Sequence, residues 1–481
     1  MSQIVPSHRA RWLAVLVLCV GQLMIILDAT IVNVALPAIQ RDLGFTQSGL
    51  GWVVNAYLIP FGGLLLLAGR LGDLIGRRRM FVLGLAVFTA ASLLCGLADS
   101  RELLIAARFV QGVGGAMTSA VILGMVVTMF STPKETARAI GFYSFVGAAG
   151  ASIGVLGGGV LTQTLTWHWI FLVNLPIGIG TLFAARLVAR DRGTGLAAGA
   201  DILGAALVTS GLMLAIYTIV GSAERSTPAT AALGTLSAAL LAGFVLRQAR
   251  ARTPLLPLRV LRSRQVSAGN VVQALMVAAM FGFQIPVALY VQQVLGYSSL
   301  MTGVSFLPIT AAIGVVALGL SARLITRFGP RAVTLTGLPL IGVGFALLAR
   351  LPVHGSFVTD LLPSMLLLGL GVGLALPAVA TLAMSGARPE DSGIASGLVN
   401  TTQQVGGAFG LAVLLTLATS RTDGLLAAGE SAPAALTGGY HLAFGIGVGV
   451  VAVATVLAAL LLRPAVVPVG TERVAEPVLV G

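Results

Sequence analysis

Two ionisable side chains stand inside long apolar runs of this sequence. Asp28 lies within LDATIVNVALP (27–37), in a run that begins near Trp12, and Arg108 follows shortly after Glu102. A charge at the depth of a bilayer costs about 2.5–3.5 kcal/mol on insertion scales, so such side chains face the protein interior or a water-filled cavity. A buried carboxyl whose surroundings alternate between wet and dry can bind and release a proton. These residue types therefore predict proton transfer at Asp28.

Each of the two side chains has a second interpretation. Asp28 is purely structural if it only bonds to Asn33 or to a neighbouring helix. Arg108 either modulates a carboxylate or binds an anionic group, or it extends to the outer interface of the membrane. The sequence does not show whether the two side chains meet. A permanent ion pair would keep Asp28 ionised and make it a poor proton carrier.

The composition is that of an integral membrane protein. Of the 481 residues, 57% are hydrophobic and 9% charged, and the mean hydropathy is +0.99. A soluble chain of this length needs far more charge to cover its surface. Apolar runs recur along the chain, and about 14 of them are long enough to span a bilayer as helices. Cys19 and Cys95 lie inside such runs, which argues against a disulfide framework or a metal site.

The net charge of +13 is interpreted as a topological signal and not as a sign of nucleic-acid binding. Most basic residues fall in loops that share one side of the membrane, such as GRRR (76–79) and RLITRFGPR (323–331). This asymmetry follows the positive-inside rule. We therefore expect a multi-pass protein of the cytoplasmic membrane, in contact with lipid, with both termini in the cytoplasm and no nucleic-acid partner.

Two parts of the chain repeat one another. GRLGDLIGRR (69–78) reappears as ARLITRFGPR (322–331), and GVGGAMTSA (112–120) resembles GVGLALPAV (371–379). Internal repeats are typical of secondary transporters, whose substrate site lies between the halves near the bilayer midplane.

The repeat predicts the domain organisation of an all-α polytopic membrane protein. The second half carries Phe281 and Leu367 at the positions equivalent to Asp28 and Arg108, so the repeated fold requires neither charge. Two surplus helices lie between the halves. The expected segments are an N-terminal six-helix bundle (1–195), two inserted transmembrane helices (196–250), a cytoplasmic basic loop (251–265), a C-terminal six-helix bundle (266–465) and a cytoplasmic tail (466–481).

Five motifs, in order along the chain, resemble those of one family. They are LDATIVNVALP (27–37), GRLGDLIGRRRM (69–80), ARFVQGVGGAM (107–117), WHWIFLVNLPIG (167–178) and LVNTTQQVGGAFG (398–410). By these motifs the chain is similar to the major facilitator superfamily and to its branch of 14-helix drug:proton antiporters. The resemblance implies two six-helix bundles plus two inserted helices, and multidrug efflux coupled to protons. In one departure, Val155 stands where the antiporter motif carries proline, so we expect close glycine packing without a proline-dependent bend.

The resemblance also implies a cytoplasmic gate around Asp73. This residue is expected to cap a helix that begins at about Ser392 and Gly393, because a carboxylate at a helix N-terminus is favourable by roughly 0.3–1 kcal/mol. Its neighbours in the proposed gate are Arg70, Arg77 and Arg78. The alternative is a surface ion cluster that only sets topology.

A set of polar, aromatic and sulfur-containing residues on the cavity-facing helices gives the candidates for substrate binding. They are Asn33, Asn55, Tyr57, Gln111, Asn270, Gln273, Met280, Gln284, Tyr290, Asn400 and Gln404. Such a mildly polar, mostly apolar set suits amphipathic, often cationic, compounds better than sugars. Helix packing is the alternative role of each of these residues.

The sequence contains no phosphate-binding loop, metal-ligand cluster or nucleophile–base set, so we expect no enzymatic activity, cofactor or metal. The expected function is proton-coupled export of small amphipathic or cationic drugs, or of lipophilic metabolites, by alternating access. The family resemblance implies a monomer. A dedicated exporter of one metabolite or lipid is the first alternative, and a scaffold or receptor without transport is the second. The sequence does not distinguish coupling to sodium from coupling to protons.

Overall fold

The part of the chain that the computed structural model describes consists of helices and the loops between them, with no β-strand in it. It comprises residues 7–45, 47–130, 132–189, 191, 193, 195, 201–220, 225–251, 254–256, 258–297, 299–385, 387–388 and 391–463. Its helices are α1 (His8–Leu43), α2 (Gln47–Ile75), α3 (Arg77–Gly96), α4 (Arg101–Thr128), α5 (Pro133–Thr164), α6 (Trp169–Leu172), α7 (Asn174–Ala184), α8 (Ile202–Val220), α9 (Thr227–Arg250), α10 (Leu258–Arg262), α11 (Arg264–Leu289), α12 (Ser299–Ser305), α13 (Leu307–Val315), α14 (Ala322–Leu348), α15 (Leu362–Ser385), α16 (Ser392–Ala427) and α17 (Ala432–Leu461). The predicted tail, 466–481, lies outside these ranges.

Thirteen helical segments of the described chain are long and apolar enough to cross a membrane. One of them, Met301–Leu348, has 48 residues. At 1.5 Å per residue it would be about 70 Å long, more than twice the roughly 30 Å of a bilayer core. Gly329 interrupts it with φ 79° and ψ 156°, a conformation that glycine adopts readily, and Pro330 opens the next helix. With this segment counted as two spans, the described part of the chain has fourteen, the number that the sequence predicts.

Local sequence determines several helix ends. The hydroxyl of Ser7 accepts a hydrogen bond from the amide of Ala10 at the start of α1, and Gly44 ends α1 in the left-handed conformation. Thr132 caps α5 by accepting a hydrogen bond from the Glu135 amide, and its hydroxyl donates to the Glu135 carboxylate, with Pro133 at the first position of the helix. These signals are short-range, which is why they can be identified in the sequence.

Glycines on α5 allow this helix to lie directly against α1. A Cβ atom at Gly154 would lie 3.0 Å from the carbonyl oxygen of Leu27, and one at Gly158 would lie 2.9 Å from that of Ile31. Helix α5 runs without interruption from Pro133 to Thr164. The side chain of Val155 is not among those that the structure describes. The close glycine packing that the motif implies is therefore present.

The two halves have separate hydrophobic cores. The first is built mainly from α1 to α5, around side chains such as Phe81 and Phe88. The second is built from α11, α13 to α15 and α17, around Phe345 and Phe444. The halves meet where α2, α4 and α5 pack against helices α13 to α16.

The inserted helices pack at one edge of the junction between the halves. Helix α8 lies against α2 and α16 and pairs with α9. The side chains of Met213 and Ile216 on α8 occupy the space beside Gly63 and Gly62 on α2. A small apolar cluster joins both inserted helices to Leu66 on α2 and to α16.

Replacing Gly114 with alanine is expected to lower the thermal stability of the protein. Helices α3 and α4 are in backbone contact at this glycine, where a Cβ atom would lie 2.5 Å from the amide nitrogen of Phe88 and 2.8 Å from the carbonyl oxygen of Gly84. Neither backbone atom can move without separating the helices, so we expect a cost of about 1–3 kcal/mol. Thermal unfolding in detergent measures this effect.

Gly449→Ala is the matched control, because a Cβ atom at Gly449 on α17 meets nothing within 4 Å. Alanine is the better helix former by about 1 kcal/mol, so this variant should melt at or above the parent temperature. Equal melting temperatures for the two alanine variants would contradict the close contact of α3 and α4.

Candidate functional site

The side chains of Asp28 and Arg108 meet in the interior of the N-terminal half. Asp28 on α1 is fully buried, and Arg108 on α4 exposes 1% of its surface. Nη1 of the arginine lies 2.6 Å from Oδ2 of the aspartate. Arg108 therefore does not extend to the membrane interface. In this conformation the two side chains form an ion pair, a contact that the sequence alone did not decide.

Three side chains among the described residues donate hydrogen bonds to the Asp28 carboxylate. Besides Arg108, Nε2 of Gln111 lies 2.8 Å from Oδ1, and Nδ2 of Asn174 lies 2.9 Å from the same oxygen. Both amides also donate to Oγ of Ser92, at 3.0 and 2.9 Å. An acceptor surrounded by donors has the geometry of an ionised carboxylate.

Arg108 is held by further contacts on three sides. Its Nε donates to the carbonyl oxygen of Val53 at 3.0 Å, and its Nη1 also donates to Oε1 of Gln111 at 2.7 Å. The guanidinium carbon lies 4.4 Å from the centre of the Tyr57 ring and 5.6 Å from that of Phe171, which gives cation–π contacts. Helices α1 to α4 and the segment of α6 and α7 thus converge on one buried charge pair.

Asn174 and Ser92 are members of this cluster that the sequence analysis did not select. Asn174 lies within the WHWIFLVNLPIG motif, and its position inside an apolar run was the available signal. Ser92 is a small residue on a predicted membrane helix, and nothing in the surrounding sequence distinguishes a functional role from simple helix packing. The side chain of Asn33, the alternative partner of Asp28, is not among those that the structure describes.

A second polar site lies at the end of the bundle that carries the turn at Gly76, the end of α4 and the short helix α10. We call this end the basic face. Here Asp73, 3% exposed at the end of α2, accepts hydrogen bonds from the backbone amides of Gly393 and Ile394, both at 2.9 Å. We call these two bonds the Asp73 cap. They join the first turn of α16 in the C-terminal half to α2 in the N-terminal half, as the family motif implies.

The arginines of the predicted gate differ in what they contact. Arg77 donates to Asp73 through Nε at 2.9 Å, and Nε of Arg78 donates to the carbonyl oxygen of Ala185 at 3.0 Å. The backbone amides of Arg77 and Arg78 both donate to the Asp191 carboxylate, which caps α3. Arg70 is half-buried near the end of α2. Asp191 was not selected from the sequence.

The predicted substrate-binding residues fall into several environments. Tyr57 and Gln111 belong to the ion-pair cluster described above. Asn400 lies between the halves, donating to the Ser119 carbonyl at 3.2 Å and accepting from the Tyr143 hydroxyl at 3.4 Å. Tyr290 donates to the Pro352 carbonyl at 2.7 Å, in a loop contact.

The remaining members of that set lie on α2, α11 and α16. Nδ2 of Asn270 donates within its own helix, to the Val266 carbonyl at 2.9 Å. Gln273 is fully buried, and its amide has no hydrogen-bond partner among the described residues. Three are half-buried, namely Asn55, Met280 and Gln404, whereas Gln284 is exposed. Of the ten whose side chains the structure describes, Tyr57 and Gln111 contact the ion pair and Asn400 bridges the halves. The substrate-binding role of the set stays a prediction.

Sequence comparison identifies the family. Residues 18–411 match the family model of the Major Facilitator Superfamily. The chain is 39% identical over 462 residues to the puromycin resistance protein pur8 of Streptomyces alboniger, covering 94% of this chain and 91% of the relative. It is 39% identical over 448 residues to the cephamycin export protein CmcT of Amycolatopsis lactamdurans, covering 92% and 90%. The chain belongs to the major facilitator superfamily.

Solved structures agree with this assignment at the level of the fold. The human organic anion transporter MFSD10 (TETRAN) superposes with a TM-score of 0.68 at 16% identity, over 93% of this chain and 99% of that chain. By its family and its relatives, which include proteins of antibiotic resistance and export, the chain is a multi-pass membrane transporter and not an enzyme.

Proposed function

We propose that this transporter exports small amphipathic or cationic compounds across the cytoplasmic membrane in exchange for protons. The observation that carries the proposal is the fully buried ion pair of Asp28 and Arg108, in a chain similar to resistance and export proteins. Ionisable groups at bilayer depth are functional by default, because a structural role alone does not offset their desolvation.

The contacts of the pair suggest how a proton would act. A proton on Asp28 removes the charge that Arg108 neutralises and turns one acceptor oxygen into a donor that faces other donors. The cluster must then rearrange, and it holds five helical segments together. Protonation thereby changes the relative stability of the two conformations of alternating access, which is how a proton gradient drives the cycle. The ion pair in this scheme is transient, so Asp28 can serve as a carrier.

The Asp73 cap supports a gate between the halves at the basic face. A carboxylate on two amides of a helix N-terminus stabilises the contact of α2 with α16 while that face is closed. By the positive-inside rule the basic face is the cytoplasmic one, with both termini on that side. In this assignment Asp73, with Arg70, Arg77 and Arg78 around it, closes the cytoplasmic entrance of a monomer.

Two substrate ranges are compatible with this scheme. A mildly polar substrate site between the halves, near residues such as Asn400 and Gln404, would suit a broad set of lipophilic cations. A dedicated exporter of one metabolite is the second candidate, because both relatives are named for a single antibiotic.

Dye transport in inverted membrane vesicles tests the proposal. With a pH gradient, acid inside, the protein should accumulate ethidium and dissipate the gradient, whereas a sodium gradient alone should have no effect. Transport of several unrelated cations supports multidrug export, and transport of one antibiotic only supports the dedicated exporter. Dye movement that follows sodium and ignores pH would contradict proton coupling.

A further inference from the structure

Two aspartates lie at the N-terminus of α16. Asp391 directly precedes the helix, and aspartate is a preferred residue for capping the helix that follows it. Yet its carboxylate makes no bond to its own helix. The amides of Gly393 and Ile394 are instead occupied by Asp73, which comes from the other half of the protein.

The carboxylate of Asp391 is bound by an arginine. Nη2 of Arg259 lies 3.0 Å from Oδ1 and 2.9 Å from Oδ2, and its Nε lies 3.3 Å from Oδ2. Asp391 is 3% exposed, so this pair is largely shielded on the aspartate side. Its ψ of 6° is far from the extended value that a capping residue adopts. To cap its own helix, Asp391 would have to rotate its backbone and leave Arg259.

Arg259 follows a segment that is hydrogen-bonded to the inserted helices. It lies on α10, just after a loop whose Leu256 amide donates to Oε1 of Gln248 on α9 at 3.0 Å. Nε2 of Gln248 donates in turn to Asp201, which precedes α8, at 2.8 Å. The side chain of Leu256 is buried in the cluster that also contains Ile394 of α16. The loop is therefore fixed both to the inserted pair and to the first turn of α16.

We propose that Arg259 is a positioning residue for the gate, which keeps Asp391 from capping its own helix and so reserves the two amides for Asp73. When the basic face opens and Asp73 withdraws, Asp391 leaves Arg259 and takes over the exposed amides. The inserted helices, through Arg259, thereby stabilise the closed basic face. This inference rests on the proposed gate and adds a second, exchangeable cap to it.

The test is the distance between spin labels on the two halves at the basic face. The substitutions Arg79→Cys and Arg327→Cys, at exposed positions of the two halves, provide the attachment sites for labels that report its opening. The native Cys19 and Cys95 are buried, so they should not take up label. Arg259→Gln should raise the ratio of open to closed molecules about fivefold, in line with the energy of one helix cap. Arg262→Gln removes a charge from an exposed residue of the same short helix and should leave the ratio unchanged.

The decisive variants remove the competing carboxylate. Asp391→Ala breaks the same ion pair but leaves the open state without its replacement cap. It should therefore be as closed as the parent or more so, and the double variant Arg259→Gln/Asp391→Ala should match it. If Asp391→Ala opens the basic face as far as Arg259→Gln does, the pair is a simple tether and the inference is wrong.

Asp73→Ala separates this inference from the proposed gate. If Asp73→Ala opens the basic face while Arg259→Gln does not, the gate stands and the role of Arg259 is refuted. If Asp73→Ala leaves the distances unchanged, the gate itself fails. Each variant must elute as a single folded species in size-exclusion chromatography before its distances are compared. Arg259→Lys keeps the charge and is a milder substitution, so its ratio of open to closed molecules should lie between those of the parent and Arg259→Gln.

Discussion

Asp28→Asn should abolish dye transport driven by a pH gradient, down to the level of vesicles without the protein. Asparagine has nearly the shape of aspartate and still offers Oδ1 as an acceptor to Arg108, but it cannot exchange a proton. The side chain is fully buried among hydrogen-bond donors, so bulk solvent does not reach it in this conformation to exchange the proton in its place. We expect the variant to fold and to retain a dye-induced rise in melting temperature, since the bound dye needs no proton.

Glu102→Gln is the matched control for this substitution. Glu102 is an exposed acid in the first turn of α4, on the same helix as Arg108. Its replacement should leave pH-driven transport unchanged. Normal transport by Asp28→Asn would show that the buried carboxylate is structural and that the proton pathway lies elsewhere.

Arg108→Gln should destabilise the protein more than Gly114→Ala does. It leaves the Asp28 carboxylate buried without its cation, and removing one partner of a buried ion pair costs about 3–5 kcal/mol. The bond to the Val53 carbonyl and the contact with the Tyr57 ring are lost as well. A large drop in melting temperature in detergent is the expected result.

A second substitution should reverse part of that loss. In Arg108→Gln/Asp28→Asn no charge stays buried, so the double variant should melt above Arg108→Gln alone. Arg101→Gln, at an exposed arginine of α4 bonded to the Leu43 carbonyl, should change the melting temperature little. If adding Asp28→Asn lowers the melting temperature further, the two charges do not stabilise one another as the geometry indicates.

The sequence predicts those parts of the site that depend on the membrane as a solvent. A charge inside an apolar run must be buried, so Asp28 and Arg108 could be selected without any structure. The contact of Asp73 with α16 follows from a long motif. In each case a strong energetic penalty or an extended pattern distinguishes the residue from its surroundings.

Partners that lack such a penalty could not be predicted. Asn174 is 146 positions from Asp28, and an uncharged amide in a membrane helix is equally consistent with packing. The ion pair of Arg259 with Asp391 joins residues 132 positions apart, and each lies in a stretch of sequence rich in charges. Such pairings depend on the depth and rotation of individual helices, which a single sequence does not specify.

The helices, like the site residues, were predicted in part. A basic loop over RLITRFGPR (323–331) was predicted from the sequence, and Gly329 interrupts the helix within it, although helicity continues almost without a break. The placement of α8 between α2 and α16 was not predicted, because a uniformly apolar helix carries no information about which neighbour it contacts.

Proton release on substrate binding tests the central claim most directly, namely that the proton exchanged for substrate is held by Asp28. Calorimetric titration of ethidium into the purified protein, in buffers of different ionisation enthalpy near neutral pH, measures the number of protons released. We expect the parent to release protons as the dye binds and Asp28→Asn to bind the dye with no release. Equal release by both proteins would contradict the claim, because the exchanged proton would then belong to another group.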